Sequence, residues 1–471
     1  MGYYGTWRKK DLKMYQIDFT KPIWVHFIGI GGISMSGLAE ILISRGFSVS
    51  GSDRARSPLT QALEEKGAKI YYGQREDNIT DDVQLVVYTA AVKSDNPEYA
   101  EATRRNLPIL RRAELLGQIM RNYGTSVAIS GTHGKTTTTS MITTMLLSAE
   151  ADPTISVGGI LPAIGGNTRI GDSEYFVTEA CEYTNSFLSL YPTIGIILNI
   201  EEDHLDFFKD INDIRNSFHR FAQLLPKDGA LIINAGIDNY KEITGDLGCR
   251  VITFGVKDAD YTASDISYDD MGCASFTAVR KGREDLRITL SVPGEHNIYN
   301  ALAALACVDV IGIEEGASVK GLRDFTGTDR RFQKKGEIAG VTVVDDYAHH
   351  PTEIRTTLKA AANYPHKKLW LVFQPHTYTR TKAFFDDFAD ALTGADAVVL
   401  ADIYAARETD NLGVSSEMLC EALKDRGCEA YYFPTFDEIE NFLLQNCSHG
   451  DLLITMGAGD IVKVGESLLG S

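Results

Sequence analysis

The residues best suited to chemistry lie in the stretch SGTHGKTTTT at 130–139, directly after an apolar run at 127–129. A loop of the form G-x-x-x-x-G-K-[ST] between a strand and a helix binds nucleotide phosphates. The end of this motif is present at 134–136, but Ile129 stands where its first glycine belongs. Gly131 lies closer to the lysine, so the sequence predicts a shortened phosphate-binding loop.

Such a loop would hold a nucleoside triphosphate. Backbone N–H groups at the start of a helix point at phosphate oxygens, and the helix dipole favours negative charge there. Lys135 would reach the β- and γ-phosphates, and the hydroxyl of Thr136 would bind Mg²⁺, which prefers oxygen ligands. The alternative is an ordinary turn between a strand and a helix that binds nothing.

A second glycine-rich turn, GIGGISMSG at 29–37, also follows an apolar run. The dinucleotide fingerprint G-x-G-x-x-G would need glycine at position 34, where the chain has Ser34. Asp53 lies about 20 residues on, at the end of the next predicted strand, where a ribose-binding acid belongs. The turn is compatible with NAD, and better with any ligand that has a diphosphate and a ribose. A tight turn without a ligand is the alternative.

Two acidic clusters follow predicted strands in the middle of the chain. EACE at 179–182 follows the strand at 175–178, and NIEEDH at 199–204 follows the strand at 194–198. Ligands of an open parallel sheet bind beyond the carboxyl ends of its strands, so both clusters should face the same edge as Lys135. Carboxylates there suit Mg²⁺, and a histidine would complete a second metal site. For any single residue, a surface acid or a helix cap is the alternative.

Three later motifs add further candidates. In GEHNIYNALAAL, His296 and Asn297 would read an adenine edge or cap the helix that follows. In DDYAHHPTE, the adjacent His349 and His350 point apart on any regular element, which favours hydrogen bonding over shared metal binding. In QPHTYTRT, Arg380 is a candidate clamp for a carboxylate or one half of an exposed ion pair.

Strand and helix patterns alternate along the chain, which predicts parallel α/β sheets. The predicted strands lie at 23–28, 47–50, 85–88, 127–129, 175–178, 194–198, 341–344, 369–373, 397–401 and 452–455. They fall into three α/β units in series, for which we predict the bounds 1–107, 108–326 and 327–471.

Composition narrows the class of protein. A chain of 471 residues is too long for one core, since domains usually have about 100–200 residues. A formal net charge of −18 argues against a nucleic-acid partner, which requires clustered Lys and Arg. Seven cysteines without a CxxC pair indicate a reducing compartment. The basic N-terminal stretch lacks the apolar region of a secretory signal, and no run of about 18 apolar residues predicts a membrane span. We therefore expect a cytoplasmic protein with neither a membrane nor a nucleic-acid partner.

Taken together, the motifs resemble those of the Mur ligases. GIGGISMSGLAE, GTHGKTTTT, TEACE, NIEEDHLD, GEHNIYNALAA, DDYAHHPTE, FQPHTYTRT and MGAGDI occur in the order and spacing of that family. The resemblance runs from about residue 23 to the C-terminus, and the first 20 or so residues have no counterpart.

The resemblance implies a Rossmann-like N-terminal domain, a central P-loop ATPase domain and a Rossmann-like C-terminal domain. It implies that ATP, with Mg²⁺, drives ligation of L-alanine to the lactyl carboxylate of UDP-N-acetylmuramate through an acyl phosphate, in peptidoglycan synthesis. The expected partners are these small substrates, and the expected state is a monomer or a weak homodimer.

The resemblance also implies a role for individual residues. It implies that the UDP-sugar binds to Gly29, Gly31, Gly32, Ser36 and Asp53. It implies that ATP binds to Gly131, Thr132, His133, Gly134, Lys135, Thr136 and Thr137, with adenine near His296, Asn297 and Asn300, ribose near Asp346 and a phosphate near Arg331, one of the pair at 330–331. It implies Mg²⁺ among Thr136, Glu179 and His204. It implies that the amino acid contacts Tyr347, His349, His350 and Arg380. Catalysis would fall to Lys135, His204, His349 and Arg380, and a histidine of the pair at 349–350 would remove the amine proton.

Two departures from the family pattern affect these expectations. Many members have arginine where this chain has Thr377, so a second carboxylate clamp is missing or supplied from elsewhere. Cys181 and Tyr183 replace an acid and a small hydroxyl residue, which leaves the role of Glu179 itself intact.

Three other functions stay open from the sequence. A recycling ligase that joins a preformed peptide to the same sugar would share every motif. An NAD-dependent oxidoreductase would use the turn at 29–37 and Asp53, but it would leave the lysine loop unexplained. A P-loop switch or binding protein would use the loop without ligation.

Overall fold

The computed structural model describes residues 15–89 and 91–470. The first 14 residues, which include most of the stretch without a family counterpart, lie outside this range. The chain divides into two compact units between Tyr123 and Gly124. Within the described residues, no helix combines the length and the apolar character needed to cross a membrane.

The first unit is a parallel sheet with helices between its strands. Its strands are β1 (Trp24–Ile28), β2 (Ser48–Asp53), β3 (Lys69–Tyr72), β4 (Leu85–Tyr88) and β5 (Ile109–Arg111), and its helices are α1 (Ile33–Ser44), α2 (Pro58–Glu65), α3 (Pro97–Arg104) and α4 (Arg112–Met120). The strand order is β3-β2-β1-β4-β5. Strand order reverses beside β1, and the glycine turn follows β1 at this topological switch point, where open α/β sheets bind ligands. The unit extends past the predicted bound at 107 because β5 joins the sheet after it.

The second unit begins with a ten-stranded sheet. Its strands are β6 (Thr125–Ser130), β7 (Thr154–Leu161), β8 (Gly166–Arg169), β9 (Tyr175–Glu179), β10 (Ile194–Ile197), β11 (Ala230–Asn234), β12 (Arg250–Phe254), β13 (Tyr261–Tyr268), β14 (Cys273–Arg280) and β15 (Leu286–Pro293). Its helices are α5 (Lys135–Ser148), α6 (Ile211–Ala222), α7 (Tyr240–Thr244), α8 (His296–Ile311) and α9 (Glu315–Asp324). The order is β15-β14-β13-β12-β11-β10-β6-β9-β7-β8, so β6 lies between β10 and β9.

Helix α5 is buried because α8 and α9 pack against it. Met141, Ile142, Met145 and Leu146 of α5 are fully buried in the core that the ten-stranded sheet shares with these helices. This packing fixes the start of α5, and therefore the phosphate-binding loop, against the sheet.

A six-stranded sheet follows in the same unit. Its strands are β16 (Gln333–Ile338), β17 (Val341–Asp346), β18 (Leu369–Phe373), β19 (Ala397–Leu400), β20 (Glu429–Tyr432) and β21 (Leu452–Met456). Its helices are α10 (Pro351–Ala361), α11 (Tyr378–Ala383), α12 (Phe385–Leu392), α13 (Ser416–Asp425), α14 (Phe436–Asn446) and α15 (Val462–Leu469). The order is β16-β17-β21-β18-β19-β20, and only β16 runs antiparallel in this sheet.

Alternate residues of the six-stranded sheet enter two separate cores. Leu371 and Phe373 of β18 belong to one core, and Trp370 and Val372 belong to the other. Successive side chains of a strand point to opposite faces, so helices must cover both sides. This explains why β18 is an uninterrupted apolar run in the sequence.

The predicted fold class, α/β, is confirmed, and every predicted strand is present, although two of the three sheets also contain antiparallel strands. The sequence did not predict the antiparallel strands β13–β15 or the pairing of β7 with β8. The predicted boundary at residue 327 falls between α9 and β16, and the division of the chain into domains at this residue stays a prediction.

Candidate active site

The phosphate-binding loop occupies residues 131–134, between β6 and α5. Gly131 and Gly134 have φ angles of +142° and +83°, which L side chains rarely adopt. A Cβ atom added at Gly134 would lie 2.7 Å from Oδ1 of Asn300. Glycine is therefore required at Gly134 both by its backbone angle and by the close approach of Asn300.

The segment after β10 holds this loop in place. The His133 N–H donates to Oδ1 of Asn199 at 2.8 Å, and Nδ2 of Asn199 donates to the His133 carbonyl at 3.1 Å. The Glu201 N–H donates to Oγ1 of Thr132 at 2.9 Å. Because β10 pairs with β6, the predicted placement of this acidic segment beside the lysine loop is confirmed.

Lys135 lies inside the loop that precedes it. Its Nζ donates to the carbonyls of Gly131 and Thr132, and it pairs with Oε2 of Glu182 at 3.0 Å. Burial opposes the charge, but the Glu182 carboxylate outweighs it and raises the pKa of Lys135. The lysine is therefore a cation held at the loop.

The residues predicted for magnesium lie around this lysine. The Gly158 N–H on β7 donates to Oε1 of Glu179 at 2.6 Å, and a Cβ on the next residue, Gly159, would lie 3.2 Å from Cγ2 of Thr136. The side chains of Thr136 and Glu179 thus both lie against the same short piece of β7, and a hydroxyl and a carboxylate are oxygen ligands of the kind that Mg²⁺ accepts. Nε2 of His204 lies 3.9 Å from Oε1 of Glu182. These observations fit the predicted set, whose metal-binding role stays a prediction.

A second group of possible metal ligands forms ion pairs in this structure. Atoms of His133, Glu201 and His350 lie within 4.8 Å of one another. Nδ1 of His133 lies 3.2 Å from Oε1 of Glu353, and its Nε2 lies 3.5 Å from Oε2 of Glu201. Burial lowers the pKa of His133, but Glu353 and Glu201 outweigh this and raise it to about 9. In this structure the His133 ring is therefore held as a cation between two carboxylates.

A cavity of 240 Å³ lies beside the loop, between the ten-stranded and six-stranded sheets. Its lining includes the predicted nucleotide residues His133, Gly134, Thr137, His296, Asn297, Asn300, Arg331 and Asp346. Leu198, Val292 and Phe325 give it an apolar wall. An apolar slot with a few polar groups, next to a phosphate loop, is the shape that a nucleoside requires.

The polar residues of this nucleotide cavity differ in what they offer a ligand. Nδ2 of Asn297 donates to the Pro293 carbonyl at 2.7 Å, and its Oδ1 accepts from Asn300, so Asn297 orders the start of α8. The carboxylate of Asp346 accepts the backbone N–H groups of Phe332 and Ala348, each at 2.8 Å. Burial raises the pKa of Asp346 to about 6.

Of the two adjacent arginines, Arg331 lines the nucleotide cavity. Arg330 pairs with Asp345 at 2.9 Å and donates to the carbonyls of Gly457 and Gly459, so it is structural. The choice of Arg331 for the phosphate contact is consistent with this placement.

A second cavity, of 330 Å³, lies around Arg380. Its lining includes Tyr183, Asp203, His204, His376, Thr377, Arg380, Arg407 and Glu408. Nη2 and Nε of Arg380 donate to Oδ1 of Asp203 at 3.0 and 3.2 Å, and Nη1 lies 3.3 Å from Nδ1 of His376. The side chain of Arg380 is 10% exposed, so it is not a surface ion pair. Burial opposes ionisation of Asp203, but Arg380 holds the pKa of Asp203 well below its usual range.

The other residues predicted for the amino acid are placed differently. Nδ1 of His349 bonds to the Tyr347 carbonyl at 2.9 Å, which leaves Nε2 as its acceptor. Burial lowers the pKa of His349 to about 4, so the ring is neutral at pH 7. His350 caps α10 through Nδ1, which accepts from the Thr352 N–H, and its Nε2 donates to the Glu202 carbonyl. Tyr347 and these two histidines lie outside the lining of the Arg380 cavity, so their contact with an amino acid stays a prediction.

In the first unit, Asp53 stabilises the glycine turn. The Gly31 N–H donates to Oδ2 of Asp53 at 2.8 Å, and a Cβ on Gly31 would lie 2.7 Å from the same oxygen. Gly29 has a φ of +83°, Gly32 caps α1, and the Ser36 hydroxyl donates to the Ile33 carbonyl. These contacts fix the turn between β1 and α1, and contact of these residues with a UDP-sugar stays a prediction.

Three acids that the sequence analysis did not assign support the site. Glu182 pairs with Lys135, and Asp203 pairs with Arg380. Glu353 contacts His133 at 3.2 Å and accepts the N–H of His349 at 3.1 Å. Each acid lies in a motif that also contains a predicted site residue. This closeness in the sequence was the signal that could have identified the three acids.

A phosphate loop on a parallel sheet, a nucleotide cavity and a Rossmann-like unit define a multidomain nucleotide-binding enzyme of the α/β class. Family profiles match three consecutive segments: the catalytic domain of the Mur ligase family at 24–124, the Mur ligase middle domain at 129–308, and the glutamate ligase domain of Mur ligases at 330–459. The chain belongs to the Mur ligase family.

Relatives with known names agree with this family. The chain is 60% identical over 457 residues to the UDP-N-acetylmuramate–L-alanine ligase of Agathobacter rectalis, which covers 97% of this chain and 100% of that protein. It is also 60% identical over 458 residues to the enzyme of the same name from Lachnospira eligens, with the same coverage. A crystal structure of UDP-N-acetylmuramate-alanine ligase from Thermotoga maritima superposes with a TM-score of 0.79 at 31% identity, covering 95% of this chain and 98% of that one. A murein peptide ligase from Psychrobacter arcticus shares the fold, with a TM-score of 0.69 at 24% identity and the same coverage.

Proposed function

We propose that this enzyme uses ATP to join L-alanine to the lactyl carboxylate of UDP-N-acetylmuramate. One observation carries the proposal: a single segment, 199–204, lines both cavities. Asn199 and Glu201 line the nucleotide cavity, and Asp203 and His204 line the Arg380 cavity. Two small-molecule sites that share one short segment bring their ligands together, as a ligase requires. The 60% identity to L-alanine ligases over 97% of the chain supports the choice of substrates.

The proposed reaction has two steps. A carboxylate is a poor electrophile, so the γ-phosphoryl group of ATP is transferred to a lactyl carboxylate oxygen, which gives an acyl phosphate and ADP. The amine of alanine then attacks the acyl carbon, the C–O bond to phosphate breaks, and the products are an amide and inorganic phosphate. Mg²⁺, when bound by Thr136, Glu179 and His204, supplies charge neutralisation to the phosphates.

The protein contributes position and charge. Lys135 is already ionised and fixed at the loop, so it needs little reorganisation when a phosphate arrives. The loop and Arg331 orient the triphosphate, which raises the effective concentration of the reacting groups. These are the contributions that dominate phosphoryl transfer.

The attacking amine must be neutral. His349 is the better of the two histidines for accepting its proton, because its Nε2 is not used by the hydrogen bond to Tyr347. Both ring nitrogens of His350 have hydrogen-bond partners, so we assign His350 to positioning α10. Since ATP is a cytoplasmic cosubstrate, the proposal places the reaction in the cytoplasm, with a monomer or weak homodimer as the active species.

Phosphate release with defined substrates tests the proposal. Release is expected to need ATP, Mg²⁺, UDP-N-acetylmuramate and L-alanine together, with glycine and L-serine as weaker substrates. Release with a free tripeptide in place of alanine, but not with alanine, would instead identify a recycling ligase. Release without the UDP-sugar would identify a P-loop ATPase or switch, and a nicotinamide absorbance change would identify an oxidoreductase.

A further inference from the structure

The Arg380 cavity contains a second arginine, which the sequence motifs did not single out. Arg407 lines the cavity together with Thr377 and Arg380. Thr377 is uncharged, so Arg380 and Arg407 are the cations among the residues that line this cavity. Arg407 lies on the segment that follows β19, the neighbour of β18 in the sheet.

Arg380 is already engaged by the protein. Two of its nitrogens donate to Oδ1 of Asp203, and the third lies 3.3 Å from Nδ1 of His376. A guanidinium grips a carboxylate through two adjacent N–H groups, and its charge must not be neutralised by another acid. Arg380 therefore has few N–H groups available to bind an incoming carboxylate.

Arg407 differs from Arg380 both in the exposure of its side chain and in its contacts. Its side chain is exposed, and among the described residues it has neither a hydrogen bond nor an ion pair. The acids near it are already used, since Asp206 accepts a hydrogen bond from the Tyr183 hydroxyl at 2.7 Å and Glu408 bonds to the backbone of α11. Among the described residues, the Arg380 cavity thus contains an exposed cation that is not paired with an acid.

The backbone around Arg407 is fixed although its side chain is free. The Glu408 carboxylate accepts the Thr379 N–H at 3.0 Å, which ties Arg407 to the helix that carries Arg380. On the other side, the Tyr404 ring stacks on His376 with centroids 5.5 Å apart, and the Tyr404 carbonyl accepts the Thr377 N–H at 2.9 Å. The backbone on both sides of Arg407 is therefore held at the wall of the Arg380 cavity.

We propose that Arg407 binds the α-carboxylate of the incoming amino acid and supplies the guanidinium that position 377 lacks. This inference rests on the proposed ligase function. In this arrangement Arg380, held by Asp203, forms the floor of the pocket. Arg407 pairs with the carboxylate and leaves the amine directed towards the segment shared with the nucleotide cavity.

Steady-state kinetics of Arg407→Gln test the inference. A hydrogen bond to a charged group contributes about 1.5–3 kcal/mol, so KM for L-alanine should rise about ten- to a hundredfold. The KM values for ATP and UDP-N-acetylmuramate should stay within about twofold of wild type, because neither ligand uses this side chain. Alaninamide, which lacks the carboxylate, should react equally well with the variant and the wild type.

A double variant separates recognition from a structural role. Thr377→Arg added to Arg407→Gln should recover most of the lost affinity for alanine, because the guanidinium returns to the same cavity. Lys382→Gln removes an exposed cation of α11 outside the cavity lining and should leave all three KM values unchanged. Thermal unfolding of each variant checks that the fold is intact.

The outcomes distinguish this inference from the function on which it rests. If the wild type ligates alanine but Arg407→Gln keeps a normal KM, Arg407 does not bind the carboxylate. A parallel rise of all three KM values, or failure of the double variant to recover, also overturns the inference. If the wild type releases no phosphate with alanine, the proposed function itself is wrong.

Discussion

At the scale of single residues, the cationic side chains of this site form ion pairs with acids that are distant in the sequence. Lys135 is enclosed by two loop carbonyls and Glu182, whose side chain is only 4% exposed. Because burying an unpaired charge is costly, the ion pair keeps the lysine charged and in place before the nucleotide arrives. The same logic applies to Arg380 and Asp203.

Replacement of Lys135 with Ala should abolish ligation. It removes the fixed cation that offsets charge on the transferred phosphoryl group, and loss of one such group typically lowers kcat by about a hundredfold or more. Phosphate release measures turnover, and calorimetry measures UDP-N-acetylmuramate binding, which should persist because the residues predicted to bind the sugar lie in the first unit. Turnover near that of the wild type would remove the lysine from the reaction.

At the scale of elements, the start of α5 depends on how tightly the loop packs. Gly134 combines a left-handed φ of +83° with an Asn300 oxygen 2.7 Å from where a Cβ would lie. Asn300 is itself bonded to Asn297 at the start of α8. A side chain at Gly134 would therefore displace α8 residues that line the nucleotide cavity.

Gly134→Ala should raise KM for ATP at least tenfold while KM for alanine changes little. Gly165→Ala is the matched control, because Gly165 also has a left-handed φ, +66°, but open space around its Cβ position. Both variants carry a backbone penalty of about 1–2 kcal/mol, which chemical denaturation measures. Equal effects of the two substitutions on ATP binding would contradict the role assigned to the contact with Asn300.

At the scale of the whole molecule, Glu353 connects the two sheets of the second unit. Its carboxylate contacts His133 of the phosphate loop and accepts the N–H of His349 in the six-stranded sheet's first crossover. Arg331 lies 3.7 Å away. The acid therefore joins the loop that holds the nucleotide to the elements that carry the predicted amino-acid residues.

This connection should make the free energy of unfolding fall as the pH rises into the alkaline range. The pKa of His133 is raised from 6.5 to about 9 in the folded state, so its protonation stabilises the fold fully below pH 6.5. The stabilisation, on the order of 2–3 kcal/mol, is lost as pH rises through 9. In His133→Gln, the fall in the free energy of unfolding between pH 6.5 and 9 should largely disappear.

Denaturant unfolding across this pH range measures the effect. His219→Gln is a suitable control, because His219 on α6 forms an ion pair with Asp246, and neither residue lines the nucleotide cavity. That variant should keep the pH dependence of the wild type. A His133→Gln protein with an unchanged pH profile would show that the imidazole is not protonated between its two acids.

The sequence by itself determined the fold class, some of the strands in each of the three sheets and the positions of both glycine turns. These features are local, because apolar runs, helix periodicity and glycine at left-handed angles are encoded by neighbouring residues. The sequence also showed that acids follow the strands beside the lysine loop. Two assignments depended on contacts that the sequence does not show. One is which of Arg330 and Arg331 contacts a phosphate, and the other is which of His349 and His350 accepts the amine proton.

Only the tertiary structure decided which charged groups meet. Glu182 lies 47 residues from Lys135, and Asp203 lies 177 residues from Arg380, yet each pair is within 3.0 Å. Strand order sets these meetings, and the spacing of residues along the chain does not encode strand order. For the same reason, the replacement of arginine by Thr377 was visible in the sequence, whereas the free Arg407 beside it became visible only when β18 and β19 were seen to be neighbours.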